Sequence, residues 1–189
     1  DGTPNKEKLG ANAILAVSLA CAHAAAKARG ILLYAHIADI AHNSDKSLPM
    51  PMVNVLNGGK HATGSTDIQE TMIIPKNATS FAHAIQIGSE VFQSLKKTLG
   101  ARGESTAVGD EGGFTLHVQN SNAEALDVLC EAVEKAGYVV GQDIVFALDV
   151  AASELYSEPN YNFAAEQKNL SASDTIDWYS DLTRKYPIV

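Results

Sequence analysis

The residues best suited to chemistry in this sequence are two adjacent carboxylates, Asp110 and Glu111. They stand among three glycines in the segment Val-Gly-Asp-Glu-Gly-Gly-Phe, residues 108–114. Glycine is costly inside regular structure, but it lets the backbone adopt positive φ and approach a ligand closely. The segment therefore predicts a shaped loop whose acid pair can transfer protons. An ordinary acidic turn is the alternative that this segment alone leaves open.

Two further acidic positions lie next to short apolar runs. Gln69 and Glu70 precede the run at residues 71–74, and Asp149 follows the run at residues 144–148. In barrels of parallel strands the active site lies at the carboxyl ends of the strands, which makes Asp149 a site candidate. With the acid pair, these positions give four carboxylates near loop or strand ends. Such oxygen ligands suit Mg²⁺, and one more acid could remain for proton transfer.

One histidine of the six, His61, lies in the glycine-rich polar stretch at residues 57–66. It is either a solvated loop residue or a ligand for a phosphate or carboxylate group. The sequence has no Walker-type Gly-Lys-Ser/Thr, no Gly-x-Gly-x-x-Gly opening a helix and no Gly-x-Ser-x-Gly. Nucleotide binding and serine hydrolysis therefore have no support from motifs.

The elements that must position these residues are an alternation of helices and buried strands. Apolar residues at spacings of three and four predict helices at residues 6–29, 33–41, 80–99, 122–136 and 173–185, with Asn5 as the first cap. Runs without alternation predict strands buried on both faces at residues 50–56, 71–74 and 144–148. A Tyr/Asn/Pro-rich loop is predicted after residue 149, and a new strand begins at residue 187.

Composition and charge restrict the class of protein. The chain has 189 residues, 46% hydrophobic and 19% charged, which is globular composition. Its net charge of −8 argues against nucleic acid or an anionic membrane as the main partner. The apolar stretch at residues 9–28 is interrupted by polar residues, so we expect a packed soluble helix and no membrane span.

The two cysteines, Cys21 and Cys130, lie in apolar helical patterns far apart in sequence. They are in no metal-ligand spacing, so we expect two buried free thiols. Free thiols are typical of a reducing compartment, which predicts a cytoplasmic protein.

Six segments now resemble enolase, the phosphopyruvate hydratase family, in order and approximate spacing. The resemblance spans nearly the whole chain and looks bacterial at residues 67–70. It implies an α/β fold: an incomplete enolase-type (β/α)8 barrel at residues 47–189, preceded at residues 1–46 by the helical tail of an α+β N-terminal domain. The segments are Asp-Gly-Thr-Pro-Asn-Lys (1–6), Leu-Gly-Ala-Asn-Ala-Ile-Leu (9–15), Asn-Gly-Gly-Lys-His-Ala (57–62), Asp-Ile-Gln-Glu (67–70), residues 108–114, and Asp-Val-Ala-Ala-Ser-Glu (149–154).

The resemblance also implies a reaction, the reversible Mg²⁺-dependent dehydration of 2-phosphoglycerate to phosphoenolpyruvate. Glu111 matches the acid that protonates the departing hydroxyl, and Glu70 matches its partner carboxylate. Gln69 and His61 match positions that contact substrate, and Asp149 matches one ligand of the magnesium ion. The parent enzyme is expected to be a homodimer or larger.

Departures from the family limit this expectation. Residues 115–117 read Thr-Leu-His where relatives continue Ala-Pro-Asn, and Thr71 replaces an aromatic residue. The lysine base, the other two magnesium ligands, and the arginine and second lysine that hold substrate match positions beyond residue 189. We therefore expect an internal portion of an enolase, with about three of eight strands, that is inactive alone. The alternatives are a non-catalytic folding, binding or surface-interaction segment, and another superfamily member acting on a different carboxylate.

Overall fold

The computed structural model describes residues 1–61 and 64–189, with only the backbone described at residue 61. The chain divides into two compact units, Asp1–Pro49 and Met50–Val189. The helices are α1 (Ala11–Ala28), α2 (Leu33–Ile40), α3 (Phe81–Ala101), α4 (Ala123–Lys135), α5 (Ala152–Leu155) and α6 (Ala172–Lys185). The strands are β1 (Val53–Asn57), β2 (Glu70–Ile74), β3 (Phe114–Thr115), β4 (Val145–Asp149), β5 (Tyr156–Ser157), β6 (Asn160–Phe163) and β7 (Lys168–Leu170).

In the first unit, α1 begins at Ala11, so the predicted start at residue 6 with Asn5 as cap is wrong. The preceding residues instead form a turn held by Asp1, whose carboxylate accepts from the backbone N–H groups of Thr3 (2.9 Å) and Leu9 (3.1 Å). Gly10 then adopts a φ of 77°, which favours glycine and separates this turn from the helix.

Helix α1 is not packed as its sequence predicts. Ala26 is its one buried residue, whereas Leu15, Val17 and Leu19 are 58%, 65% and 48% exposed. With 18 residues and a mean hydropathy of 1.3, α1 is long and apolar enough to qualify as a membrane-spanning helix by length and composition. Core helices of soluble proteins meet the same two criteria, so this property alone assigns no membrane location.

In the second unit, a four-stranded sheet has the order β3-β1-β2-β4. Strand β1 is parallel to β3, but β2 is antiparallel to both β1 and β4. Barrel strands in general run parallel, but β2 does not, because the described residues between β1 and β2 (58–61 and 64–69) form no α-helix that could carry the chain back along the sheet. The sheet is part of a barrel and is not closed.

The outer edge of β4 pairs with the last residues of the chain. The Phe146 N–H donates to the Pro187 carbonyl at 2.9 Å, and the Val189 N–H donates to the Phe146 carbonyl at 3.0 Å. This bridge between Phe146 and Ile188 is parallel. The prediction that a strand begins at residue 187 agrees with this pairing.

Helices α3 and α4 cover one face of the sheet through their amphipathic sides. Both follow the predicted patterns, and Ser80 caps α3 by accepting from the His83 N–H at 3.1 Å. Fully buried residues of the shared core come from both helices and from the strands, and burial of each side chain contributes about 1.5–3 kcal/mol. They include Val55, Ile73, Val91, Leu95, Leu99, Phe114, Leu126, Leu129 and Phe146.

A second, three-stranded antiparallel sheet, β5-β6-β7, occupies the region predicted as a loop. The prediction failed because these strands have two to four residues and contain no apolar run. Their anchor is Phe163, which is fully buried and lies 4.7 Å from Trp178 of α6 between ring centroids.

The prediction of two buried thiols is also wrong. Both cysteines are free, but Cys21 is exposed because α1 is largely uncovered, and Cys130 is only half-buried. Burial, together with the nearby carboxylates of Asp127 and Glu134, raises the pKa of the Cys130 thiol.

A buried carboxylate, Asp67, holds the segment that enters β2. It accepts hydrogen bonds from the Asn122 side-chain amide (2.9 Å) and the Ala165 N–H (3.1 Å), while its own N–H donates to Asn122 Oδ1 (2.7 Å). Asn122 immediately precedes α4, and Ala165 lies in a short 3₁₀ turn after β6. These bonds therefore fix three separate parts of the chain relative to one another.

Glu166, in the same 3₁₀ turn, reinforces this junction. Its side chain is 6% exposed, accepts from Trp178 Nε1 at 3.2 Å and pairs with Lys168 at 2.7 Å. Like Asp67, it is an acid whose role in this fold is structural.

We expect Asn122→Ala to destabilise the protein by about 1–3 kcal/mol, because a buried carboxylate loses its partner. Chemical denaturation followed by fluorescence of Trp178, the single tryptophan, measures this change. Asn120→Ala is the matched control, since Asn120 is exposed two residues away. Equal unfolding free energies for the two variants would contradict the role assigned to Asn122.

Candidate functional site

Polar residues from all four strands lie at the same end of the four-stranded sheet. Asn57 pairs with Glu70, Glu70 pairs with Asp149, and Asn57 also pairs with Thr115. Because β2 runs antiparallel, its first residue lies beside the last residues of β1 and β4. Neighbouring strands are about 4.8 Å apart, so Glu70 and Asp149 lie on adjacent strands at the same level.

The turn from β1 toward β2 depends on Gly58. Its N–H donates to the Gln69 carbonyl at 2.9 Å, and the next N–H, of Gly59, donates to the Thr66 carbonyl at 2.7 Å. A Cβ at residue 58 would lie 2.1 Å from Thr66 Oγ1 and 2.3 Å from the Ile68 carbonyl. Only glycine fits, and this close approach places Gln69 and Glu70 beside the end of β1.

Residues 108–114 form the shaped loop that their glycines predict. Gly109 donates to the Gly113 carbonyl at 2.9 Å, and Gly112, at a φ of 83°, donates to the Gly109 carbonyl at 2.9 Å. The fully buried ring of Phe114 anchors the loop in the core, 4.5 Å from Phe92 between ring centroids. Asp110 and Glu111 are therefore exposed near the tip of a braced turn.

Two asparagines connect β1 to the loop at residues 108–114, which we call the acid loop. The buried side chain of Asn57 donates to the Gly113 carbonyl at 3.4 Å and accepts from Asn54 Nδ2 at 2.8 Å. Asn54 Nδ2 also donates to Glu111 Oε2 at 3.3 Å. A Cβ on Gly109 would lie 2.9 Å from Asn57 Nδ2, so the loop glycines make room for this amide.

Two cavities adjoin this end of the sheet. A cleft of about 300 Å³ is lined by Asn57, Lys60, Asp110 and Glu111. A larger cavity, of about 700 Å³, includes Gln69 in its lining, and Lys60 contributes to both cavities. Lys60 forms an ion pair with Glu154, which follows β4 by five residues. The cleft thus combines two carboxylates, an amide and an ammonium group, a setting that can bind a polar ligand.

The predicted site residues fall into two neighbouring groups. Glu111 lines the smaller cleft, whereas Glu70 and Asp149 are paired on the sheet and Gln69 lines the larger cavity. The predicted contribution of His61 lies outside the described residues, because its side chain is not among them.

Sequence reasoning missed Asn54, Asn57, Lys60 and Glu154. Asn54 carried a detectable signal, since it is an amide inside an otherwise apolar run at residues 50–56. The other three required the fold, because they meet the acid loop or one another only through strand pairing and the β1–β2 turn.

Asp149 is the candidate metal ligand, and its chemistry fits Mg²⁺ only in part. Its carboxylate is exposed and accepts from the Ala151 N–H at 2.9 Å, so a hard oxygen donor is present. Within residues 1–61 and 64–189, however, no group of three Asp, Glu, His or Cys side chains could hold a metal ion. Mg²⁺ takes six oxygen ligands, and Asp149 offers one carboxylate toward such a set.

Comparison with known families gives two matches that together cover most of the chain. Residues 45–189 match the family model described as enolase, C-terminal TIM barrel domain. Residues 1–37, which contain α1, match the model described as enolase, N-terminal domain.

We expect Gly58→Ala to disrupt the β1–β2 turn and to cost about 1–3 kcal/mol or more, because the added methyl group meets backbone atoms that cannot move aside. Chemical denaturation gives the free energy. Gly100→Ala is the control: it lies in α3 with its nearest neighbour at 3.6 Å, and replacing a helical glycine should be neutral or stabilising. If Gly58→Ala were as well tolerated as Gly100→Ala, the steric account of the turn would be wrong.

Proposed function

This chain belongs to the enolase family, and from that membership we propose that its full-length parent catalyses the reversible Mg²⁺-dependent dehydration of 2-phosphoglycerate to phosphoenolpyruvate. The reaction is a step of glycolysis, which assigns the protein to the cytoplasm. The observation that carries the proposal is that Glu70 pairs with Asp149 and with Asn57 at one end of the strands, and that Asn57 lines the same cleft as Glu111.

The chemistry requires acids in two kinds of position. Removing a proton from the carbon beside a carboxylate creates an intermediate with additional negative charge, and expelling a hydroxyl requires a proton donor. In the proposed reaction Glu111 donates this proton, and Glu70 acts as its partner near the same hydroxyl. The exposure of Glu111 at the tip of a braced loop supports this role, since the donor must reach the ligand without moving far.

Substrate contacts are assigned to Gln69 and His61. Gln69 directly precedes β2 and lines the larger cavity, and this position supports its assignment. The assignment of His61 rests on family resemblance alone.

Asp149 would hold the magnesium ion through a carboxylate oxygen, together with ligands that the resemblance assigns to positions beyond residue 189. When bound, Mg²⁺ supplies positive charge that stabilises the doubly charged carboxylate of the intermediate. Family resemblance also assigns the lysine base to a position beyond residue 189, and it supports a homodimer or larger assembly for the parent enzyme. We therefore propose that these 189 residues alone do not catalyse the reaction.

A non-catalytic interaction segment is the second candidate, and the surface of α1 favours it. Three large apolar residues of this helix are about half exposed or more. Two of them, Leu15 and Leu19, are four positions apart and share one face of the helix, and adjacent exposed apolar side chains are typical of a surface that binds a partner. Partner binding that is unaffected by Glu111→Gln and by Asp149→Asn would support this function, whereas loss of turnover in the same variants supports the enzyme.

In the full-length protein carrying this sequence, we expect Glu111→Gln to lower kcat by about 10²–10⁴-fold, because the amide cannot donate the proton that the leaving hydroxyl needs. Phosphoenolpyruvate formation followed by absorbance measures the rate. Glu134→Gln makes the same change at an exposed position of α4 and should leave kcat unaltered. Full activity of Glu111→Gln would refute the assignment of the acid.

The purified 189-residue chain should form no phosphoenolpyruvate above background in the presence of Mg²⁺ and 2-phosphoglycerate. The physical reason is that proton abstraction requires a base, and the family's lysine base matches no position within this chain. The full-length protein in the same assay is the positive control. Turnover by the isolated chain would show that its own residues complete the site.

A further inference from the structure

We propose that Asn54 is a positioning residue that orients the Glu111 carboxyl group toward the substrate, and this inference rests on the proposed function. Asn54 is the fourth residue from the carboxyl end of β1, and Glu111 lies 57 positions further along the chain. Their hydrogen bond, from Asn54 Nδ2 to Glu111 Oε2 at 3.3 Å, is a direct side-chain link between the sheet and the tip of the acid loop.

The orientation of the Asn54 amide is determined by its neighbours. The Gly113 carbonyl can only accept, so the Asn57 amide must present its NH₂ group there, at 3.4 Å. Asn57 Oδ1 then faces Asn54 and accepts from Asn54 Nδ2 at 2.8 Å. The second hydrogen of the same NH₂ group is consequently directed at Glu111. The Gly113 carbonyl thus fixes the orientation of the Asn57 amide. The Asn57 amide in turn directs the Asn54 NH₂ group at Glu111.

The glycines at either end of the loop hold this amide pair in place. A Cβ at residue 113 would lie 2.6 Å from Asn57 Oδ1 and 3.2 Å from Asn54 Oδ1, and a Cβ at residue 109 would lie 2.9 Å from Asn57 Nδ2. The Asn57 side chain is therefore enclosed by the loop backbone, and it is 3% exposed. Neither amide can rotate freely, so the donor on Asn54 is preorganised.

Asn54 Oδ1 shows that this arrangement is not optimised for stability alone. It is a buried acceptor with no hydrogen-bond partner among the residues that the structure describes. Buried polar atoms are nearly always paired, and an unpaired one carries a free-energy cost. An apolar side chain at this position of the strand would avoid the cost, but it would provide no donor for Glu111.

The donated hydrogen bond has a chemical consequence. A carboxylic acid accepts hydrogen bonds best at its carbonyl oxygen, so an N–H directed at Oε2 favours placing the proton on Oε1. Glu111 would then present the O–H of Oε1 to the departing hydroxyl while Oε2 stays held by Asn54. Asn57 lines the same cleft as Glu111, so the hydrogen-bonded group of Asn57, Asn54 and Glu111 lies beside the space that a ligand would occupy.

The test uses the full-length protein and two variants, Asn54→Leu and Asn54→Asp. Both remove the donor at nearly unchanged size, and only the second adds a charge. Each variant is measured for kcat, for KM, and for exchange of the substrate's C2 proton with deuterium in D₂O, followed by NMR. Exchange reports removal of the proton by the base and does not require the acid that expels the hydroxyl. Asn77→Ala, at an exposed asparagine before α3, is the control.

We expect both Asn54 variants to lower kcat by about 10–100-fold with KM changed less than about threefold, as small displacements of a reacting group do. Proton exchange should stay within about threefold of the wild-type rate, because the base is unaffected. Asn77→Ala should match the wild type in all three measurements. Thermal unfolding of each protein establishes that it is folded at the assay temperature.

Several outcomes overturn the positioning role while leaving the proposed function intact. These are an unchanged kcat in Asn54→Leu, whether or not Asn54→Asp has an effect, equal losses of exchange and dehydration in both variants, or unfolding of both variants. The last two would make Asn54 a structural residue. Absence of turnover in the wild-type protein is a different failure, because it removes the proposed function and with it the reaction that Asn54 would serve.

Discussion

The reversal of the chain between β1 and β2 is the constraint on which the candidate site depends. Because β2 runs antiparallel, Glu70 at its start lies between Asn57 and Asp149, which end β1 and β4. In a parallel β2, Glu70 would lie at the opposite end of the strands, away from Asn57 and Asp149. The reversal in turn requires a glycine at residue 58, where any side chain would meet the backbone of the returning segment.

The acids of this region divide into two physical classes. Asp67 and Glu166 are buried, accept several hydrogen bonds and tie the β1–β2 segment, α4, the small antiparallel sheet and α6 together. Asp110, Glu111 and Asp149 are exposed at loop or strand ends. Paired buried carboxylates stabilise a fold, whereas exposed ones remain available to a ligand. The first class therefore provides the rigid frame on which the second can act.

Family membership and geometry support different parts of the functional conclusion. Membership in the enolase family assigns a lyase origin and an incomplete TIM-barrel fold. The geometry adds the link from Asn54 to Glu111 and the ion pair between Lys60 and Glu154, neither of which follows from membership. In the proposed enzyme these contacts would set where the acid and the loop before β2 lie relative to the substrate.

The sequence by itself determined the long helices, the three apolar strands and the shaped loop at residues 108–114. Amphipathic spacing, apolar runs and glycine conformation are local properties, and each of these elements depends on them. The small antiparallel sheet was not predicted because its strands are short and polar. The expectation that α1 is packed was wrong because the hydrophobicity of a segment does not report which other residues cover it. Tertiary structure alone decided that β2 is reversed, that Asp67 meets Asn122, and that Asn54 reaches Glu111. Such pairings join residues that are 13 to more than 50 positions apart, so they depend on chain connectivity and packing that no local pattern encodes.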